Sequence, residues 1–261
     1  MGCLISAECQ LLDVLHELRT REFVAALEEQ RAQGQKNLER PNWLWDALIG
    51  SAATLGRVPC LCILESKRAK YQWHAVESLD DSKLEALVLD IYTEAGVRFR
   101  NRKSAWAGKN RRLICDEGGP DAVKRRWLGL PVKEACNYLA RFAGVSSKYA
   151  RNIGMDVART DFMDTAALDW RLLTILRRVN PALPPIRGKG YLEIEAYARK
   201  LACCLRISLW EFDRTLFSKY EALKDRLDIR DKDGGRRRRT MVNCGGKLPN
   251  CPYAAPVVRA F

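Results

Sequence analysis

The sequence predicts an all-α protein, on three observations. Apolar residues recur at helical spacing in nearly every ordered segment, capping residues and prolines stand where those segments begin, and no convincing run of alternating strands appears. Leu11, Leu15 and Leu18 open the first stripe. Leu84, Leu87, Val88, Ile91 and Ala95 form a cleaner one, with Ser82 and Glu85 ahead of it at capping-box spacing. Val132, Ala135, Cys136 and Leu139 follow Pro131, a residue suited to a first helical turn. Ile194, Ala198, Leu201 and Leu205 make a further helix, and Ser208 with Glu211 caps a last one running through Phe212, Leu216, Tyr220 and Leu223. DEGGP at 116–120 and NPALPPIRGKG at 180–190 read as loops, and the Gly-, Pro- and Arg-rich stretch 232–261 reads as an irregular basic tail.

At 261 residues, 47% hydrophobic and 30% charged, the chain can bury a sizeable core and is neither a peptide hormone nor a repeat array. No uncharged run approaches the roughly 20 apolar residues of a membrane span, so a soluble protein is expected, cytoplasmic, nucleoid-associated or nuclear. Charge is segregated: residues 1–96 carry 10 basic and 15 acidic side chains, whereas residues 97–261 carry 35 and 17. A positive field confined to one part of a chain most often faces a phosphate backbone. The ten cysteines are scattered, with no secretory signal ahead of them, and read as reduced thiols. Cys244 and Cys251 lack neighbouring ligands to complete a metal site, so no metal or cofactor is expected. MGCLIS fits a myristoylation pattern at Gly2, with Cys3 as a second lipid site.

The chemistry concentrates between Pro131 and Arg178, which reads helix, tight turn, helix, loop, helix. Gly144 sits where the bend tolerates no large side chain, and Ser146 or Ser147 can cap the next helix. A turn that opens a helix presents unpaired amide donors at the positive end of the helix dipole, a ready site for one strand phosphate. The run RFRNRKSAWAGKNRR, from Arg98 to Arg112, holds seven basic residues and no acid. It is either a solvated helix face or a DNA-backbone surface.

FAGVSSKYA resembles the hairpin of the helix-hairpin-helix DNA glycosylases, the endonuclease III and 8-oxoguanine DNA glycosylase superfamily, usually LPGVGxKxA. TAALDWRL resembles the segment that carries their catalytic aspartate. Gly144, Lys148 and Asp169 reproduce the family spacing, Asp169 following Lys148 by 21 residues. PNWLWDALIGSA is similar to an early helix of that family and GVRFRNRKSAW to its central basic turn. The tail EIEAYARKLACCLRISLWEFDRTLF is closest to the 8-oxoguanine branch. The resemblance spans roughly residues 40–225. It implies a two-lobed fold with an interlobe active-site cleft: residues 1–56 packing with the C-terminal lobe, a central lobe over 57–165 that holds the hairpin motif at 131–158, a C-terminal lobe over 166–231, and the tail.

By that resemblance Asp169 stabilises positive charge on the sugar as the base leaves, and Lys148 attacks to form a Schiff base and release the strand by β-elimination. The implied partner is double-stranded DNA with a flipped nucleotide, bound by a monomer without a cofactor, since no complete four-cysteine cluster pattern is present. DNA contacts are expected from Gly144, Val145, Ser146, Ser147, Arg98, Arg100, Arg102, Lys103 and Arg151. Trp170, Thr54 and Leu55 are the candidates for base pocket or wedge. Three departures stand out. Ser146 replaces the hairpin's second glycine, residues 52–55 lack a Gln pair found in relatives, and Trp170 follows Asp169 where relatives carry a smaller or more polar residue. The residues also have plainer readings: Lys148 as a solvated charge, Asp169 as a helix N-cap, and the tryptophans at 43, 45, 73, 106, 127 and 210 as core. The alternatives are a glycosylase for a hypermodified base of foreign DNA, a noncatalytic hairpin DNA-binding module, and a lipid-anchored adaptor.

Overall fold

The computed structural model describes residues 6–54 and 60–229. Within them fifteen α-helices are formed and no strand. In chain order they are α1 Ser6–Leu18, α2 Arg21–Glu39, α3 Trp43–Thr54, α4 Leu61–Ser66, α5 Arg68–Tyr71, α6 Trp73–Val76, α7 Asp81–Glu94 and α8 Arg100–Asp116. There follow α9 Pro120–Leu128, α10 Val132–Leu139, α11 Ser147–Asp156, a 3-10 turn Thr160–Asp164, α12 Trp170–Val179, α13 Lys189–Cys204, α14 Leu209–Ser218 and α15 Tyr220–Arg226. No helix among the described residues is long and apolar enough to cross a membrane.

The chain forms two compact units, one of residues 6–35 with 151–229 and the other of residues 36–54 with 60–150. The division therefore falls inside α2 and α11 and differs from boundaries near 56 and 165. α3 belongs to the second unit for a physical reason. Its Trp43 and Trp45 are buried there, Trp43 against the ring of Trp127 at 5.0 Å and Trp45 edge-on to Trp73 at 5.6 Å. Trp45 also donates to the Tyr71 carbonyl at 2.6 Å, and the buried Tyr92 hydroxyl donates to Ile49 O at 2.8 Å. Each such ring removes about 2–3 kcal/mol worth of apolar surface from water, which makes α3 the spine of this unit.

In the first unit, Leu11 and Leu15 of α1 enter a cluster with Leu172, Ile175 and Leu176 of α12, Ile194, Ala198 and Leu201 of α13, Phe212 and Leu216 of α14, and Leu223 of α15. The apolar stripes read from the sequence are thus the buried faces. Two details differ. The side chain that caps α7 is Asp80, accepting from Lys83 N at 2.8 Å, because its carboxylate stands one residue ahead of the first helical turn while Ser82 already lies inside it. The expected single helix from Ser208 to Leu223 is two, divided at Lys219, whose φ of −98° and ψ of 13° leave the helical basin. Ser208 does cap α14, accepting from Glu211 N at 3.1 Å.

The DEGGP turn is built on Gly118 and Gly119, both with φ near +90°. Cys9, Cys60, Cys115, Cys136, Cys203 and Cys204 carry no disulfide. Gly2, Cys3, Leu55, Cys244, Cys251 and the basic tail lie outside the described residues.

Candidate active site

The hairpin between α10 and α11 is clamped from α8. Asn110, 3% exposed, donates to Ala143 O at 3.1 Å and accepts from Ala143 N at 2.7 Å, so one amide side chain satisfies both backbone groups at the head of the turn. Gly144 follows at φ +88°, with the ring of Trp106 against it; a Cβ there would sit 2.5 Å from Trp106 Cε3. Glycine is required twice over, by the dihedral and by the ring. Val145 is buried and anchors the loop, and its backbone N is already spent on Phe142 O at 3.1 Å, so of the expected hairpin contacts it is the least available to a strand. Ser146 and Ser147 are exposed, and Ser146 Oγ lies 3.5 Å from Tyr149 N in a loose N-cap. Lys148 is the second residue of α11, half-buried, with its ammonium 5.0 Å from the centre of the Tyr149 ring.

In the same unit the basic turn projects Arg98, Phe99, Arg100, Asn101 and Arg102 into solvent. Phe99 holds a left-handed backbone (φ 57°, ψ 35°) and is 61% exposed, with the Arg98 guanidinium 4.6 Å over its ring. Arg102 lies 5.5 Å over Trp106. A cavity of about 530 Å³ opens here, lined by Phe99, Arg100, Asn101, Arg102, Lys103 and Trp106. An exposed aromatic ring among guanidinium groups suits nucleobase stacking beside phosphate neutralisation.

Lys103 corrects the expectation that the whole run faces DNA. It is 1% exposed and its ammonium donates to Ala53 O at 3.3 Å in the last turn of α3, since position 103 falls on the inward face of α8. Burial, with Arg98 nearby, lowers its pKa to about 8. Arg111 and Arg112 both pair with the Asp81 carboxylate, Arg111 half-buried and Arg112 exposed. Thr54 ends α3 and spends its hydroxyl on Ser51 O at 3.2 Å.

In the other unit, the buried stretch Thr165–Leu168 leads to Asp169, the N-cap of α12. Asp169 Oδ1 accepts from Arg171 N at 2.9 Å and Leu172 N at 3.1 Å, so the plainer reading of this residue is real; neither bond uses Oδ2. Trp170 is 60% exposed, its ring edge-on to Tyr220 at 5.1 Å, while the Arg171 guanidinium lies 4.5 Å over Phe217. Of the seven tryptophans, five are core, Trp106 backs the hairpin, and Trp170 beside Asp169 is the one presented to solvent. Arg151, expected to contact DNA, instead packs 4.2 Å over the Tyr191 ring with Nε 3.6 Å from Glu195 Oε1.

Lys148 and Asp169 therefore lie in different units, each held at the start of a helix. No protein-family model and no curated protein matches this sequence. Solved structures do. The 8-oxoguanine DNA glycosylase of Methanocaldococcus jannaschii superposes with a TM-score of 0.65 at 17% identity, covering 83% of this chain and 96% of that one. The 8-oxoguanine glycosylase/lyase of the same organism, in complex with a 15mer DNA containing 8-oxoguanine, gives 0.59 at 19% identity over 81% and 97%. The 8-oxoguanine DNA glycosylase of Thermotoga maritima gives 0.59 at 24% identity over 79% and 95%. The chain shares their fold.

That shared fold is all-α among the described residues, the class predicted from the helical stripes. The residues that sequence reasoning missed are Asn110 and Trp106, which shape the hairpin from a run read only for its charge, and Phe99. Asn110 had no visible signal, whereas Phe99 was legible as the sole large apolar side chain in RFRNR.

Proposed function

We propose that the chain is a DNA glycosylase that excises 8-oxoguanine from duplex DNA and then cleaves the strand through a Schiff base. The observation that carries this reading is the spacing of hairpin lysine and capping aspartate, 21 residues apart, within a fold shared with 8-oxoguanine glycosylases of two organisms. Asp169, with Oδ2 outside its capping bonds, supplies negative charge beside the sugar as the bond from C1′ to the base breaks. The Lys148 nitrogen forms the new bond to C1′ as the bond to the base breaks, and the departing base takes up a proton. The sugar ring opens to the iminium, and loss of a C2′ proton expels the 3′ oxygen. Gly144, Ser146 and Ser147 present backbone donors to one phosphate, Arg98, Arg100 and Arg102 neutralise others, and Phe99 supplies an apolar wedge where the nucleotide is extruded. Trp170, beside Asp169, offers an indole face to the flipped base.

The proposal gives Lys148 and Asp169 separate roles in one reaction. It is tested by incubating the protein with duplexes that each carry one damaged or modified base, bulky pyrimidines included, and adding borohydride to trap the Schiff base. A covalent adduct with 8-oxoguanine DNA that is absent for Lys148→Gln is expected. Base release without an adduct would leave a monofunctional enzyme relying on Asp169. Tight duplex binding with no release from any substrate would mean a noncatalytic hairpin module and overturn the reading.

A further inference from the structure

The stretch Thr165–Leu168 is buried yet belongs to no helix; Thr165 N donates to Phe162 O at 3.1 Å, whereas the amides of Ala166, Ala167 and Leu168 find no acceptor on the backbone. Buried without acceptors, each would cost about 1–3 kcal/mol. Three side chains from α13 and α14 take them instead. Ala166 N donates to Glu195 Oε1 at 3.0 Å, Ala167 N to Asp213 Oδ2 at 2.8 Å, and Leu168 N to the Tyr191 hydroxyl at 3.2 Å. The Tyr191 hydroxyl in turn donates to Ala166 O at 2.6 Å, closing the set on both sides of the chain. Glu195 and Asp213 are 6% and 2% exposed, set among the apolar residues of their helices. Arg151 backs the arrangement, stacked on Tyr191 and beside Glu195 Oε1.

Glu195 and Asp213 each have an arginine within 4 Å, Arg151 and Arg214, yet each also gives an oxygen to a neutral amide, and burying carboxylates is an expensive way to hold a loop, because a hydroxyl or a tighter turn would satisfy the same donors with less desolvation. The three captured amides are the three that immediately precede Asp169, and the next side-chain bonds in the chain are those of Asp169 itself to α12. The backbone is therefore fixed on both sides of one carboxylate. A carboxylate that stabilises a transition state needs that fixity, since its field acts at short range and only where charge develops.

We propose that Tyr191, Glu195 and Asp213 are positioning residues for Asp169, holding its carboxylate in place by capturing the backbone amides of Ala166, Ala167 and Leu168. The inference rests on the glycosylase reading above. What the arrangement supplies is an acceptor oxygen at each amide, so replacement by an amide side chain must be milder than truncation.

The test measures single-turnover release of 8-oxoguanine from a duplex, with duplex affinity and melting temperature recorded for each full-length variant. Asp213→Ala and Glu195→Ala are expected to slow excision about a hundredfold, the scale of a displacement near one ångström, with affinity within about twofold of the parent. Asp213→Asn and Glu195→Gln, which keep an acceptor oxygen, recover most of that loss. Tyr191→Phe, lacking one oxygen, slows excision about tenfold and speeds hydrogen exchange of the Leu168 amide. If the alanine variants do not fold, Tyr191→Phe decides. Parent-like excision by folded Tyr191→Phe, or equal loss in the Asn and Ala variants, overturns the inference while leaving the glycosylase reading intact. A parent protein that releases no base overturns that reading and this inference with it.

Discussion

Lys148 rides in the first turn of α11 with its amine half-exposed over the Tyr149 ring, whereas Asp169 ends a buried stretch and has one carboxylate oxygen tied to two amides of α12. The loose Ser146 cap behind Lys148, at 3.5 Å, contrasts with capping bonds of 2.9 and 3.1 Å at Asp169. The difference matches what each group must do in the proposed reaction. An attacking amine travels to form a bond and later leaves it, so four rotatable methylenes on an open helix end serve it. A carboxylate that only stabilises charge must not move, and preorganisation is its whole contribution.

The sharpest way to break that contrast is to separate the two roles of Asp169. Asparagine caps a helix about as well as aspartate but carries no charge. Asp169→Asn is expected to melt near the parent temperature while single-turnover excision falls about 10²–10³-fold, the scale for removing one preorganised electrostatic partner. Asp169→Ala should lose the same activity and about 1 kcal/mol of stability besides, read by urea unfolding. Parent-like excision by the asparagine variant would reduce Asp169 to a cap.

The next effect in size lies on the amine's side. Gly144→Ala places a Cβ against Trp106 at a φ of +88°, so both steric crowding and backbone strain oppose it. We expect a loss of about 2–3 kcal/mol in unfolding free energy and a drop in duplex affinity. Adding Trp106→Ala should relieve the crowding and leave the dihedral cost, so the double variant binds duplex better than Gly144→Ala alone. Identical affinities for the two would mean that the ring does not shape the hairpin.

These same residues mark how far the sequence could be read. The helical stripes, the glycine of the hairpin and the 21-residue spacing to Asp169 were legible because each is a pattern along the chain. The cap at Asp80 instead of Ser82 and the division of the last helix at Lys219 turn on one or two dihedrals, which propensity does not resolve. Arg151 over Tyr191, Asn110 at the hairpin, and Glu195 and Asp213 on the Thr165–Leu168 amides depend on partners 29 to 46 residues away in sequence. A buried acid inside an apolar stripe was the signal available for the last two, and only tertiary structure says which donor it meets. Charge counting failed most clearly at Lys103, which a run of seven basic residues made indistinguishable from its exposed neighbours.

Lys103 gives the smallest effect and the cleanest sign, and it sets a third way of mounting a charge beside the first two. In the folded chain its ammonium loses a proton near pH 8, whereas an unfolded lysine keeps it to about 10.5. Between those values the unfolded chain binds more protons, so raising pH through this window stabilises the fold, by at most ~3 kcal/mol. Above pH 10 the buried Tyr71, Tyr92 and Tyr191 act in the opposite sense, because their raised pKa keeps them protonated in the fold while the unfolded chain ionises. The useful range is therefore pH 7 to about 9.5. Urea unfolding across it should show stability climbing in the parent relative to Lys103→Met, whose side chain fills similar space without a titrating group. Parallel curves would mean that Lys103 reaches solvent, and the expectation of a phosphate contact at this position would be restored.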